Sequence, residues 1–462
     1  MQVGELTGPV EVGPIAHGGH CVARVDGRVV FVRHALPGER VRLSVTEVTK
    51  RFARADTAEV LDASPHRVAA PCPVAGRCGG CDLQHVEPSF QLEWKRRVLA
   101  EQLQRLAGID WDGVVEPVEP LLGSRSRMRF VVGGEGRLGL RAHRSHEVVP
   151  LPSEGCLLAH PLMPQHVRQT QERETQDVRT GQDVRETRDG RETQDLRKKR
   201  DGETHDGRKR RDVRETQDFR ERRGVCEVRD VREMATDSLP VTPDERGSGQ
   251  NRSLSDEPSE YLGVVSAEGG RLVAVGSAAS EGVVTQRVGQ RSFTVGVDGF
   301  WQSHPAAPEV LTAAVLDGVR PEPGERAFDL YCGVGVFAGS LVDAGCRVWG
   351  VEGGKAAIRH AKRNVPEASF FAGDVGRTLP RLPGRADLVV LDPPRTGAGR
   401  AVMTAIARRR PRAVAYVACD PAALARDLGI AIELGYTASS IRAFDLFGMT
   451  QHLEAVAILH AS

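Results

Sequence analysis

From about residue 301 to the end of the chain, short apolar runs alternate with helix-forming stretches, and that alternation leaves few folds open. The runs ERAFDLYC, CRVWGVE, ASFFAGD, ADLVVLDPP, AVAYVACD and HLEAVAIL have the length and branched composition of strands. Between them, VFAGSLVDAG, GKAAIRHAKRNV and PAALARDLGIAIELG read as helices. A chain built this way forms a mostly parallel α/β sheet covered on both faces. Ligands bind such sheets outside the carboxyl ends of the strands. The residues that end each strand are therefore the first candidates for chemistry.

The first strand of this region turns into its helix through Asp329-Leu330-Tyr331-Cys332-Gly333-Val334-Gly335. Gly333 and Gly335 let the backbone approach a ligand at a helix N-terminus. Two glycines alone are weak evidence, but the next strand ends in Glu352, suited to accept hydrogen bonds from a ribose diol. A third strand ends in Gly373-Asp374, placed to meet an adenine amino group. A dinucleotide would call for a third glycine and a pyrophosphate cradle. S-adenosylmethionine needs less of that loop, so it is favoured over NAD. Further strands end in Asp392-Pro393-Pro394-Arg395 and in Ala418-Cys419-Asp420-Pro421, and Glu454 interrupts the last apolar strand. An ordinary turn and a small core cysteine are the bland readings of the first two. A glutamate in an apolar strand is costly without a partner or a purpose.

The other regions read differently. Residues 1–62 hold short strands with Gly turns, including Asp26-Gly27 between two β-prone runs, the mark of a hairpin. They form a small β-barrel of the oligonucleotide-binding (OB) type, or one that only packs against its neighbours. Residues 165–260 repeat one phrase irregularly: RETQDVR at 173–179, RETQDLR at 191–197 and RETQDFR at 214–220. Residues 165–237 carry 20 Lys+Arg and 19 Asp+Glu against 10 Val, Leu, Phe and Met. So few apolar groups do not offset the entropy of ordering the chain, and a disordered insertion without catalytic residues is expected. Folded structure resumes at Tyr261, where LGVVSAEGGRLVAVGS reads as a hairpin.

Nine cysteines without a signal-like N-terminus point away from a disulfide framework and towards a reducing, cytoplasmic setting. No apolar run is long enough to span a membrane. The net charge of +1 announces no nucleic acid, so any basic surface is local. Arg125, Arg127 and Arg129 alternate, and with Lys95, Arg96 and Arg97 they read as a phosphate track or as a solvated basic face. Cys72, Cys78 and Cys81 are spaced C-x5-C-x2-C around Gly79-Gly80, without the paired knuckles typical of structural zinc. Cys21, Cys332 and Cys346 read as core residues and Cys226 as a solvated thiol.

Taken in order, CPVAGRCGGCDLQH, RSRMRF, GLRAHRSHEVVPL, GFWQSHP, DLYCGVGVFAGSLV, DPPRTGAG, YVACDPAALARDL and TQHLEAVAIL resemble the RNA uracil-C5 methyltransferase family from about residue 8 to 460. The resemblance implies a Rossmann-like class I methyltransferase domain at 301–462 and an N-terminal TRAM barrel at 1–62 that binds RNA. It also implies a β-rich iron–sulfur domain in two parts, 63–164 and 261–300. By resemblance Cys419 is the nucleophile and Glu454 the base, while Tyr331, Gly333, Glu352 and Asp374 hold S-adenosylmethionine. Gln302 and Asp392 match positions that hold the cofactor or the target uracil. Cys72, Cys78, Cys81 and the remote Cys156 match the ligands of a [4Fe–4S] cluster. The implied substrate is 23S ribosomal RNA, with the transfer-RNA T-loop as the alternative, and neither a membrane nor a protein partner is implied. A non-catalytic iron–sulfur RNA-binding protein is the reading from another class, and retention of Cys419 with Glu454 opposes it. Asp420 departs from the family's usual asparagine and is expected to raise the neighbouring thiol pKa. Gly448 stands where proline is common and is expected to loosen its loop. Val336 stands where some members have asparagine, leaving only backbone for any contact there.

Overall fold

The computed structural model describes residues 1–133, 136–164, 260–275 and 277–462. The expectation of a disordered insertion falls almost wholly outside these residues, as does Cys226.

Six strands form the N-terminal sheet: β1 Val10–Glu11, β2 Ile15–Ala16, β3 His20–Val25, β4 Arg28–Arg33, β5 Arg40–Val48 and β6 Phe52–Asp62. Their order is β1-β5-β6-β4-β3-β2. Strict alternation along β5 sends Val41, Leu43 and Val45 inward and Arg40 and Arg42 outward. Asp26 and Gly27 both take positive φ, 50° and 77°, and close the β3–β4 hairpin as its turn chemistry requires.

Helix α1, Pro88–Ala107, leads to the short strand β7, Val115–Pro117. A five-stranded antiparallel sheet follows: β8 Arg127–Val132, β9 Leu138–Arg141, β10 Val148–Pro150, β11 Glu260–Ser266 and β12 Gly269–Ala274. Pairing of β8 with β11 joins the chain on either side of the undescribed segment. The hairpin β13 Val283–Val288 and β14 Arg291–Gly296 comes next, then α2, Ala307–Val319.

The large sheet contains β15 Arg326–Leu330, β16 Arg347–Glu352, β17 Ser369–Ala372, β18 Leu388–Leu391, β19 Ala413–Ala418, β20 Tyr436–Asp445 and β21 Glu454–Ala461. Its order is β17-β16-β15-β18-β19-β21-β20-β7. The first five strands run parallel, and β21 returns antiparallel to β19. Leu388 and Val390 belong to one apolar core and Val389 and Leu391 to the other, so both faces are covered. The connecting helices are α3 Val336–Asp343, α4 Lys355–Asn364, α5 Val375–Thr378, α6 Gly399–Ala407 and α7 Pro421–Glu433. Among the described residues no helix is long and apolar enough to cross a membrane.

Two expectations need correction. The boundaries 63–164 and 301–462 cut through one packed body. Leu99 and Leu103 of α1 lie in the core beneath the large sheet, and β7 pairs with β20 at its edge. Strand β20 itself was not among the six expected strands. Its sequence YTASSIRAFD is polar over its middle, since most of it is partly exposed near the sheet edge, so it lacks an apolar signature.

The basic track is also revised. Lys95 is fully buried, with its ammonium 2.5 Å from Asp445 and 3.1 Å from the Phe447 carbonyl. Arg127 donates to the carbonyls of Gly296, Val297 and Gly299, and Arg96 and Arg97 share Glu93. Arg129 pairs with Glu260. Lys95 and Arg127 therefore hold segments together and are not available to phosphates.

Candidate functional site

One cleft of about 1050 Å³ opens at the carboxyl ends of the large sheet's strands. Gln302, Tyr331, Gly333, Glu352, Asp374, Asp392, Cys419 and Glu454 all line it. These residues come from several strand ends and one loop, yet they share a single space.

The turn after β15 shapes one end. Tyr331, Gly333 and Gly335 all have positive φ, 62°, 52° and 94°, which folds the chain sharply before α3. Glycine adopts that region without a Cβ penalty, and Tyr331 adopts it at a cost of about 1 kcal/mol or more. Glu352 lies opposite the loop, one carboxylate oxygen accepting from Gly354 N at 2.7 Å and the other from Gly333 N at 3.3 Å. Asp374 caps α5 by accepting from Arg377 N at 3.0 Å. Beneath the loop, Asp329 is fully buried. One of its oxygens accepts from Ala338 N at 2.8 Å and the other has no partner. Burial pushes this carboxyl up to about 8.

The reactive end lies where β19 stops and β21 begins. Ala418 pairs with Ala455 in antiparallel register, so the next residues along, Cys419 and Glu454, face each other across adjacent strands. Glu454 is only 4% exposed, and its Oε2 has no hydrogen-bond partner. Burial, reinforced by the charge of Asp392, holds its pKa well above the usual carboxylate range. Burial holds Asp392 up to about 7. The Cys419 thiol is pushed up to about 11, first by burial and then by the charges of Glu454 and Asp392, with Arg395 opposing. Arg395, to which the sequence assigned no role, also belongs to this end of the cleft. It lines the cleft, counters the negative charge on both Cys419 and Glu454, and lies 3.5 Å from His452. Its place directly after Asp392-Pro393-Pro394 at a strand end was the available signal.

Two departures from the family pattern resolve differently from expectation. Asp420 is turned away into a cap, its Oδ1 accepting from Ala423 N at 2.8 Å, and the charges that raise Cys419 most are those of Glu454 and Asp392. Gly448 does not slacken its loop. A Cβ there would stand 2.5 Å from the Leu121 carbonyl oxygen, so the glycine permits close packing.

Cys72, Cys78, Cys81 and Cys156 line one small, mostly apolar cavity together with Leu140, Leu151 and Leu158. Gly79 makes the wrap possible, since a Cβ on it would lie 2.8 Å from the Arg141 carbonyl. Burial raises the Cys78 thiol and pushes Cys81 up to about 12. Among the described residues, no three His, Cys, Asp or Glu side chains come close enough to hold a single metal ion. Cys21, Cys332 and Cys346 are buried in the cores.

The TRAM-domain family model matches residues 6–58. The chain is similar to a protein named an uncharacterized RNA methyltransferase from Streptomyces avermitilis, at 41% identity over 97% of both chains. It is also similar to a namesake from Streptomyces coelicolor, at 40% identity over 97% of this chain and 92% of that one. Among solved structures, the fold resembles the Pyrococcus abyssi tRNA (uracil-54, C5)-methyltransferase in complex with S-adenosyl-L-homocysteine. That match has a TM-score of 0.62 at 20% identity and covers 97% of this chain and 99% of that one.

Proposed function

The chain belongs to a family of RNA methyltransferases that carry a TRAM domain, and from that membership and the site we propose that it uses S-adenosylmethionine to convert uridine to 5-methyluridine through a covalent Cys419–uracil adduct. The observation that carries the reading is the facing pair Cys419 and Glu454 at the edge of the cleft, with one buried glutamate oxygen left unpaired.

The cleft suits the methyl donor. A turn with glycines at 333 and 335 borders it, and Glu352 and Asp374 stand at the next two strand ends, as a ribose and an adenine require. Gln302, Tyr331, Gly333, Glu352, Asp374 and Asp392 would hold it. When bound, S-adenosylmethionine supplies an electrophilic methyl group on a sulfonium.

Uracil C5 is a poor nucleophile, so the chain must first make it a better one. The Cys419 thiolate bonds to C6, and the electrons of the C5–C6 double bond move towards O4 as an enolate. C5 then accepts the methyl group. Glu454 removes the remaining C5 proton, the double bond re-forms and Sγ leaves. Its raised pKa makes the ionised carboxylate a strong base once its own proton has gone. The guanidinium of Arg395 favours the anionic forms of both groups. A base paired in a helix does not reach a recessed thiol, so the target nucleotide must leave its stack.

Cys72, Cys78, Cys81 and Cys156 would hold a [4Fe–4S] cluster. What favours a cluster over zinc is the C-x5-C-x2-C spacing with one remote cysteine, in place of paired knuckles, and all four thiols line one small cavity. The methyl transfer needs no electron, so the role assigned is structural. Anaerobically purified protein is expected to be brown with about four irons per chain, and zinc without iron would refute the assignment.

For the substrate we favour 23S ribosomal RNA in the cytoplasm, supported by the resemblance of the barrel-plus-cysteine arrangement. The name of the archaeal structural neighbour favours tRNA as the alternative. The test supplies unmodified 23S and tRNA transcripts with labelled donor and digests them to nucleosides. Label in 5-methyluridine from one transcript identifies the class, and label in any other nucleoside rejects the C5 chemistry.

A further inference from the structure

The turn between β2 and β3, His17-Gly18-Gly19, reaches from the N-terminal sheet onto the loops around the nucleophile. Gly19 sits so close that a Cβ on it would stand 3.0 Å from Gln451 Cγ and 3.4 Å from Asp82 Cβ. From this turn His17 Nε2 lies 3.2 Å from Oδ2 of Asp420, the residue that follows Cys419. The other oxygen of the same carboxylate caps α7 through Ala423 N. The two oxygens are thus divided between a helix N-terminus and a histidine of another sheet.

We propose that His17 is a positioning residue for the methyl-transfer reaction: by holding Asp420 in its capping geometry, it keeps a carboxylate from burdening the Cys419 thiolate. The inference rests on Cys419 being the nucleophile. An anion beside a thiol disfavours the thiolate, and each pKa unit is a factor of about ten in thiolate population. Burial alone would raise Asp420, yet the hydrogen bond from His17 and the α7 amides bring it below its ordinary range. An asparagine at this position would cap the helix with its Oδ1 and carry no charge to manage. The aspartate is what makes a partner necessary. The N-terminal sheet therefore contributes a group to the reaction centre in addition to any RNA it binds.

A double-mutant cycle tests this with His17→Ala, Asp420→Asn and the combination, made in the full-length protein. Two rates are read. The first is methylation of an RNA transcript at saturating donor. The second is alkylation of Cys419 by iodoacetamide without RNA, quantified by mass spectrometry of its peptide. With Asp420 present, His17→Ala is expected to lower kcat and to slow alkylation by about tenfold, with KM for RNA unchanged. In the Asp420→Asn background, the same change is expected to cost less than about twofold in both rates. Equal alkylation losses in both backgrounds, or none in either, would overturn the proposal, as would an effect on KM for RNA alone. Cys419→Ala is the control for the underlying reading. If it retained methyl transfer, the covalent mechanism would fail, while the alkylation cycle would still show whether His17 governs the reactivity of the Cys419 thiol.

Discussion

Asp445 and Glu454 are both buried carboxylates, one ending β20 and the other beginning its neighbour β21, and their surroundings are opposite. Asp445 accepts from the Lys95 ammonium at 2.5 Å and from Phe447 N at 3.2 Å. It ties α1 to the loop between the two strands. Glu454 has an oxygen without a partner, a like charge nearby in Asp392 and only Arg395 to moderate it. The paired carboxylate holds structure in place. The unpaired one keeps a proton affinity that is useful only if something is to be deprotonated. Substitutions at the two ends of this loop should therefore fail in different ways.

The largest effect is expected at the thiol. Cys419→Ala should abolish methyl transfer and leave donor binding near normal, and turnover above about a tenth of wild type would exclude covalent catalysis. Glu454→Gln should allow addition and methylation but stall proton removal. Turnover should fall by about 10²–10⁴-fold, and a protein–RNA adduct should survive denaturing gels. Normal turnover without an adduct would remove Glu454 from the mechanism. On the structural side, Lys95→Met leaves Asp445 buried and uncompensated, at an expected cost of about 3–5 kcal/mol in denaturant unfolding. Adding Asp445→Leu should recover most of that loss, because the desolvated charge goes with it. Neither outcome is expected at Glu454, whose replacement by glutamine leaves no buried ion-pair partner uncompensated.

A milder test uses pH. Because Cys419 is pushed up to about 11, its thiolate fraction below that value grows with pH. The raised Glu454 works in the same direction, since it too must lose a proton before acting as base. From pH 7 to 9, kcat/KM for RNA should rise at least about tenfold per unit without a plateau, and a flat profile would contradict this environment for the thiol.

The parts of the site that the sequence made legible were those that break a local pattern. A glutamate in an apolar strand, a cysteine at a strand end and a two-glycine turn are misfits in their own runs, and all three border the cleft. What the sequence hid depends on partners far along the chain. Lys95 reads as one of three consecutive basic residues, and nothing local reveals that it is buried against a carboxylate 350 positions away. Strand β20 pairs with β21 and β7 despite a polar middle, because β7 covers only Ala443–Asp445 and most of the residues before them stay at least partly exposed, which relaxes the demand for apolar residues. Asp420 was legible as a charge beside the nucleophile, but its direction depends on His17 in another sheet. Three of the clustered cysteines are visible by spacing, whereas Cys156 joined them only through the family resemblance.

The smallest effect sharpens the same contrast on a single helix. Arg97 lies two residues from Lys95 on α1, carries the same charge, and has a side chain 48% exposed. It shares Glu93 with Arg96, at 2.7 Å, and its guanidinium lies 5.4 Å from the centre of the Phe90 ring. Removing it leaves Glu93 still paired with Arg96, so no charge is stranded. Exposed pairs and exposed cation–π contacts are worth about 0.5–1 kcal/mol at most. Arg97→Ala should therefore shift stability by less than about 1 kcal/mol, against the several expected for Lys95→Met. If Arg97 meets RNA phosphates, its loss should lower RNA affinity and flatten the salt dependence by about one counterion. If it only solvates the helix, affinity should change by less than about twofold at any salt. The intramolecular pairing with Glu93 favours the second outcome. A salt slope reduced by one would restore part of the phosphate track that the burial of Lys95 removed.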